Sequence, residues 1–268
     1  MFVVSGILLL LAGICSAENF VLNFCSETGT ISTNCSRLER RLNTVEEEIE
    51  RMKPVPTDCE EIYNTGTQLD GVYNISPDGR CPFLVFCDMT HGGWTVIQKR
   101  FDGSVNFYQP WSAFVEGFGD PTGEHWLGLQ KIHRLTEHGV QIYFNMTRTV
   151  DQVIDYAHYK YFAVDGGNTQ YTMYADKFGY NGTVIDTGLT YHSGRKLSTY
   201  DRDNDDIDDN CAKIYGGGAW WYGACYDLGN LNGLYGVSGP GGMDYHLDKG
   251  HVSLSSVTMM IKQIDRTC

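Results

Sequence analysis

GGWTVIQKRFDGSVNFYQPWSAFVEGFGDPTGEHWLGLQKIHRLT, residues 92–136, is the segment from which the architecture can be read. It opens on a glycine pair that marks a turn and runs into WTVIQ (94–98), a short apolar, β-branched run that reads as a strand. Its far end, 124–137, reads as a brief helix. Working outward, FLVF (83–86) and VQIYF (140–144) are further predicted strands, and 149–157 is a second brief helical candidate. Glycine-rich connections, HGGW, DGGN and YGGGAWW, separate them, and no internal repeat is visible. From Thr57 onward the chain therefore reads as one mixed α+β domain of about 210 residues, rich in loops and within the usual domain size.

The N-terminal part has a different composition. Residues 1–17, MFVVSGILLLLAGICSA, form a short apolar run ending in small residues and read as a signal peptide cleaved after Ala17. The run is too short for a membrane span, so a secreted, extracellular product is expected. Residues 18–36 are a polar, cysteine-bearing tether. From Arg37 to Lys53 the apolar residues Leu38, Leu42, Val45, Ile49 and Met52 recur at spacings of 4, 3, 4 and 3, the seam of a short coiled coil. Two heptads are marginal alone. Interchain disulfides through Cys25 and Cys35 would hold such helices at high local concentration, which predicts a disulfide-linked homo-oligomer. Pro54 and Pro56 then break the helix and set the domain that follows, 57–268, apart.

Loss of Cys15 with the signal leaves eight cysteines: Cys25, Cys35, Cys59, Cys81, Cys87, Cys211, Cys225 and Cys268. An even number in an oxidising compartment points to disulfides, although spacing does not give their connectivity. Sequons at Asn34, Asn74, Asn145 and Asn181 make these four asparagines glycosylation candidates on the same secretory route. The formal net charge of −13 argues against nucleic acid or an anionic membrane as partner. Neither H-E-x-x-H nor G-x-S-x-G occurs, and no enzyme is expected.

DRDNDDIDDNC, residues 201–211, places six aspartates within nine residues and ends on a cysteine. A run of like charge is by default a solvated surface. Here it sits immediately before Cys211, with Cys225 closing a loop over GGGAWWYGAC, and its repulsion calls for a hard cation such as Ca2+. An EF-hand is excluded, because in the frame opened by Asp201 the sixth residue is Asp206 rather than glycine and the twelfth is Ala212 rather than glutamate.

Taken in order, DCEEIYNTGTQLDGVYNISPDG, FLVFCDM, the 92–136 block, STYDRDNDDIDDNCA, AWWYGAC and NLNGLYG resemble the fibrinogen C-terminal (fibrinogen-related) domain, from residue 57 to about 262. The arrangement of signal, stalk and domain is similar to ficolins, tachylectin-type lectins and microfibril-associated glycoproteins, but without the collagen repeat of ficolins. The resemblance implies a mixed, mainly antiparallel sheet with short helices and a loop-rich calcium and ligand subdomain. It implies disulfides Cys59–Cys87 and Cys211–Cys225, leaving Cys81 and Cys268 unassigned. It also implies a calcium site built from the side chains of Asp203 and Asp205 and the carbonyls of Ile207 and Asp209.

By the same resemblance the ligand pocket lies beside this loop and depends on a strained, often cis, peptide between Ala224 and Cys225. Tyr215, Tyr226, Met243, Asp244 and His251 fall around it. Here the chain departs from the acetyl-binding pattern, with Tyr226 in place of a histidine and His251 in place of a tyrosine. Trp220 and Trp221 are expected to support the core. The resemblance thus implies a secreted calcium-dependent lectin for acetylated glycans, in the setting of innate immunity. The alternative is an extracellular-matrix or signalling ligand that binds a protein partner through the same face, with Asp244 receiving a basic N-terminal group.

Overall fold

The computed structural model describes residues 33–184, 188–215, 218–225, 229–239, 241–247 and 250–264. The signal segment 1–17, tether residues 18–32 with Cys25, Tyr226 and Cys268 lie outside the described residues, as do the side chains of Asn34 and Cys35. The chain divides into two compact units, Met1–Pro54 and Val55–Cys268. In the first, helix α1 (Thr33–Met52) spans the heptad-patterned stretch, with Leu42 half-buried and Val45 exposed.

The second unit is built on an antiparallel sheet. Strands β1 (Gly71–Ile75), β2 (Phe83–Asp88), β3 (Trp94–Arg100), β6 (Val140–Arg148), β7 (Ile154–Val164), β8 (Met173–Ala175) and β12 (Gly250–Gln263) form its main path. Their order across the sheet is β1-β2-β3-β12-β6-β7-β8, with β9 (Asn181–Gly182) paired to β7. The last strand of the chain is therefore inserted at the centre, between β3 and β6. Side chains alternate across a strand. Accordingly Val140, Ile142, Phe144 and Met146 of β6 are buried while Gln141, Tyr143 and Asn145 face outward.

The predicted strands at 83–86, 94–98 and 140–144 are β2, β3 and β6. The helix expected over 124–137 is shorter. Residues His125–Trp126 form strand β5, which pairs with β3 and with β4 (Phe118–Gly119), and only Leu129–Thr136 is helix α4. Gly128, at φ 102°, turns the chain between them, a conformation open chiefly to glycine. The helix expected over 149–157 is absent. Gln152 sits at φ 58° in a turn, and β7 begins at Ile154. Two β-branched residues, Val153 and Ile154, favour extended backbone there. Asp155 is fixed by Arg148, with Nε–Oδ2 at 2.5 Å and Nη2–Oδ1 at 3.1 Å.

Short helices α2 (Cys59–Asn64) and α3 (Trp111–Glu116) flank the sheet. Asp58 caps α2 by accepting from the Glu61 amide at 2.8 Å, and Glu61 reaches back to the Thr57 amide at 2.7 Å. Cys59 and Cys87 are bridged, pinning α2 to β2. Cys81 is exposed and unbridged among the described residues. The core is aromatic: Trp126 lies 5.7 Å from Phe114 and 6.4 Å from Trp221, and both indoles donate to backbone carbonyls, of Phe114 and Tyr171. Trp220 and Trp221 are fully enclosed, as expected of core supports.

Candidate functional site

The sheet hands its order to the loop-rich region through buried polar side chains of β3. Gln98 donates from Nε2 to the Leu231 carbonyl at 2.8 Å and to Asn232 Oδ1 at 3.1 Å. Arg100 donates from Nη1 to the Gly233 carbonyl at 2.9 Å and lies over the Phe107 ring at 3.8 Å. Burial pushes the Arg100 guanidinium down to about 10. Asn232 passes the connection on to the Ala219 carbonyl at 2.9 Å. Buried polar groups require partners, and these bonds tie Leu231, Asn232 and Gly233 to β3 and Asn232 to Ala219.

Glu124 organises the neighbouring turn. Its Oε1 accepts from the amides of Phe101 (2.7 Å), Asp102 (3.0 Å) and Gly103 (3.0 Å), and its Oε2 from Val105 (3.0 Å). Burial alone would raise this carboxyl, but the amides outweigh it and hold it below the usual carboxylate range. Reading the sequence did not single out Glu124, because its partners are backbone groups without a residue signature.

A second strut is β12 itself. Its first residues pair with β11 (Asp244–Leu247), which pairs with β10 (Gly229–Asn230), while its later residues lie between β3 and β6. The strand thus carries His251 at one end and the centre of the sheet at the other. Asp244 is fully enclosed. Its Oδ2 lies 2.8 Å from His251 Nδ1, and its Oδ1 accepts from the Asn230 amide at 3.2 Å. Facing a carboxylate, Nδ1 of His251 carries the proton, which fixes the ring's tautomer and orientation. Burial, followed by the charges of Asp244 and Asp205, raises the Tyr222 hydroxyl. That hydroxyl donates to the Gly218 carbonyl at 2.9 Å and accepts from Asn230 Nδ2 at 2.6 Å.

The acidic loop precedes helix α5 (Cys211–Ile214). It is a chain of side-chain-to-backbone turns: Asp203 Oδ1 accepts from the Asp205 amide at 3.2 Å, and Asp205 Oδ1 from the Ile207 amide at 3.2 Å. Asp205 Oδ2 accepts from the Cys211 amide at 2.9 Å. Burial and the adjacent Asp203 raise the Asp205 carboxyl even so. The carbonyls of Ile207 and Asp209 accept no hydrogen bond among the described residues. Two carboxylates and two unengaged carbonyls on consecutive odd positions suit a hard cation with oxygen ligands. Among the described residues, no group of three His, Cys, Asp or Glu side chains converges as a metal cage, so any such ion would depend on those carbonyls.

The loop is tied to 218–225 in two ways: Cys211 and Cys225 are bridged, and the Asp206 amide donates to the Gly223 carbonyl at 3.1 Å. Asp206 also forms an ion pair with Arg195. The expected cis peptide before Cys225 is not there, since the described residues contain no cis bond. The strain lies one bond along, with Cys225 at φ 64° in the left-handed region, which costs a non-glycine residue about 1–3 kcal/mol. Of the expected pocket residues, Ala224 and His251 are exposed and Tyr215 half-buried. Met243, like Asp244, is enclosed. The structure thus corrects the placement of these two: Met243 packs in the core, and Asp244 faces His251 and Asn230 rather than a ligand.

An antiparallel globe with its C-terminal strand at the centre and a disulfide-closed acidic loop at one side defines a fibrinogen-like globe domain. The family model described as fibrinogen beta and gamma chains, C-terminal globular domain, matches residues 55–264, and the chain belongs to this family. Fibrinogen C domain-containing protein 1-A of Xenopus laevis is 46% identical over 192 residues, which are 67% of this chain and 40% of that protein. The chain thus spans about two fifths of that relative's length. Human ficolin-3 is 42% identical over 207 residues (74% of this chain, 66% of ficolin-3), and bovine microfibril-associated glycoprotein 4 is 43% identical over 189 (68% and 72%). The fibrinogen-like globe domain of human ANGPTL2 superimposes with a TM-score of 0.72 at 34% identity, over 78% of this chain and 99% of that one. A lamprey fibrin D-dimer, solved with the peptide Gly-His-Arg-Pro-amide, gives 0.68 at 29% identity, over 97% of this chain and 93% of that one.

Proposed function

We propose that this chain is a secreted, calcium-dependent recognition protein that binds acetylated glycans on the face carrying Tyr215, Ala224 and His251, with the buried Cys225 holding Ala224 in place. The observation that supports the reading is the acidic loop, in which the carboxylate-bearing Asp203 and Asp205 are followed at the next odd positions by Ile207 and Asp209, whose carbonyls accept no hydrogen bond among the described residues. Calcium held there would supply the positive charge that the raised Asp205 carboxyl lacks. The disulfide then transmits the order of the loop to Cys225 and the exposed Ala224 beside it. His251, oriented by Asp244, offers a fixed polar partner for an acetamido group, and Tyr215 an aromatic wall for its methyl.

Single sites of this kind bind weakly, and linking copies through Cys25, Cys35 and α1 would raise avidity without new contacts. Secretion agrees with the apolar residues 1–17, the disulfides and the sequons. No helix among the described residues is long and apolar enough to cross a membrane. A second reading, an extracellular protein or peptide partner on the same face, is favoured by the likeness to the peptide-bound lamprey fibrin.

A glycan and acetyl-compound array, probed with and without calcium, tests the proposal. Calcium-dependent signal on N-acetyl compounds is expected. Silence from folded, calcium-loaded protein would transfer the site to a peptide partner.

A further inference from the structure

One face of the sheet carries an aromatic platform. Trp94 of β3 lies 5.8 Å from Tyr143 of β6 and 5.9 Å from His158 of β7, and Tyr143 stacks on Tyr156 at 5.5 Å with ring planes 3° apart. These rings are only half-buried. Between them opens a cavity of about 200 Å³ lined by His91, Trp94, Tyr143, Asn145 and Met260. That is smaller than the ~300 Å³ at which sites for drug-sized ligands begin, and it suits a single pyranose ring.

Asn145 is the sequon asparagine of Asn145-Met146-Thr147, and its side chain is exposed at the rim. Tyr143 stands two residues earlier on the same face of β6. The other described sequons are placed differently. Ser76 of the Asn74 sequon turns inward to the Arg80 carbonyl at 2.6 Å, and Asn181 Oδ1 accepts from the Tyr156 hydroxyl at 3.3 Å.

We propose that Asn145 is glycosylated and that its first N-acetylglucosamine occupies this cavity, stacking on Trp94 and Tyr143 and covering the aromatic face. The inference rests on the secretory reading given above. In the modification the Asn145 side-chain nitrogen bonds C1 of the sugar, the bond from C1 to a lipid-pyrophosphate carrier breaks, and the amide nitrogen loses one proton. A sugar tethered at the rim has a high effective concentration, so weak stacking suffices to hold it in place. The apolar C–H face of the ring then removes from water an aromatic patch that would otherwise be a site of self-association.

The test uses the full chain secreted from animal cells, with glycopeptide mass spectrometry at each sequon and thermal melts. Asn145 is expected to carry glycan in most molecules. Trimming to the single core sugar should leave Tm unchanged, whereas Asn145→Gln and, independently, native enzymatic deglycosylation should each lower it by about 2–4 °C. In Trp94→Leu or Tyr143→Leu backgrounds the same removal should shift nothing. Asn145 found bare while Asn74 or Asn181 is occupied would overturn the proposal and leave the secretory reading intact. A chain retained in the cell with every sequon bare would overturn both. An equal loss of Tm with and without Trp94, or soluble N-acetylglucosamine binding beside a bare Asn145, would also overturn it.

Discussion

Glu124→Gln removes one charge and one acceptor from the point where β3 meets the loop region. In the native protein Oε1 serves three amides and Oε2 a fourth, that of Val105 at 3.0 Å, and Arg100 Nε lies 3.9 Å away. Glutamine keeps one oxygen, so its NH2 either faces the Val105 amide, donor against donor, or gives up the other three. Hydrogen bonds to a charged group contribute roughly 1.5–3 kcal/mol each. Losing one of them and weakening three gives about 3 kcal/mol, because the four share one carboxylate and do not add. At roughly 2–4 °C per kcal/mol for a domain of this size, Tm falls by about 6–12 °C. The carboxyl is held below its ordinary range in the fold, so its contribution is fully present above the unfolded value near ~4.3 and is lost as pH falls through the folded one. Urea unfolding followed by tryptophan fluorescence at neutral pH and at about pH 3.5 should show the wild-type advantage shrinking on acidification. A neutral-pH difference below about 0.5 kcal/mol, the scale of an ordinary surface change, would refute the reasoning, as would an advantage that grows in acid.

Other perturbations probe the site side of the same construction. Cys211→Ser with Cys225→Ser opens a loop of sequence separation 14 and should cost about 3 kcal/mol in chemical denaturation, while abolishing any calcium-dependent rise in Tm. Asp244→Ala strands the Asn230 amide and frees the His251 ring, so a loss of about 1–3 kcal/mol is expected together with loss of ligand retention; full retention would remove His251 from the site. Gly233→Ala would place a Cβ 2.0 Å from the Gly242 carbonyl oxygen, and secretion yield should collapse; normal yield would show that the 233–242 contact is softer than its geometry implies.

What the sequence disclosed and what it concealed follow from the range of the interactions. Strands β2, β3 and β6 were legible because their apolar runs are local and each is closed by glycine or polar residues. The stretch 149–157 misled because its short polar and apolar pattern fits a helix, while the pairing of β7 with β6 and the Arg148–Asp155 ion pair impose extension. The central position of β12 is a long-range fact with no local signal. The acidic loop was visible as charge density, and the resemblance supplied its carbonyl positions. Asp244 stood out as an acid near the expected pocket, but its direction depends on β11 pairing with β12, which turns it toward His251 and the interior. Sequence spacing alone could not have revealed that Glu124 binds four amides or that Asn145 lies beside Trp94.

The most direct test of the central claim is retention of the purified, secreted protein on an N-acetylated resin in calcium. Retention is expected in calcium, with release by either a chelator or free N-acetylglucosamine and loss of retention in Asp203→Asn with Asp205→Asn. Flow-through in calcium from protein that melts as a folded species, or retention indifferent to the chelator, would contradict calcium-dependent acetyl recognition.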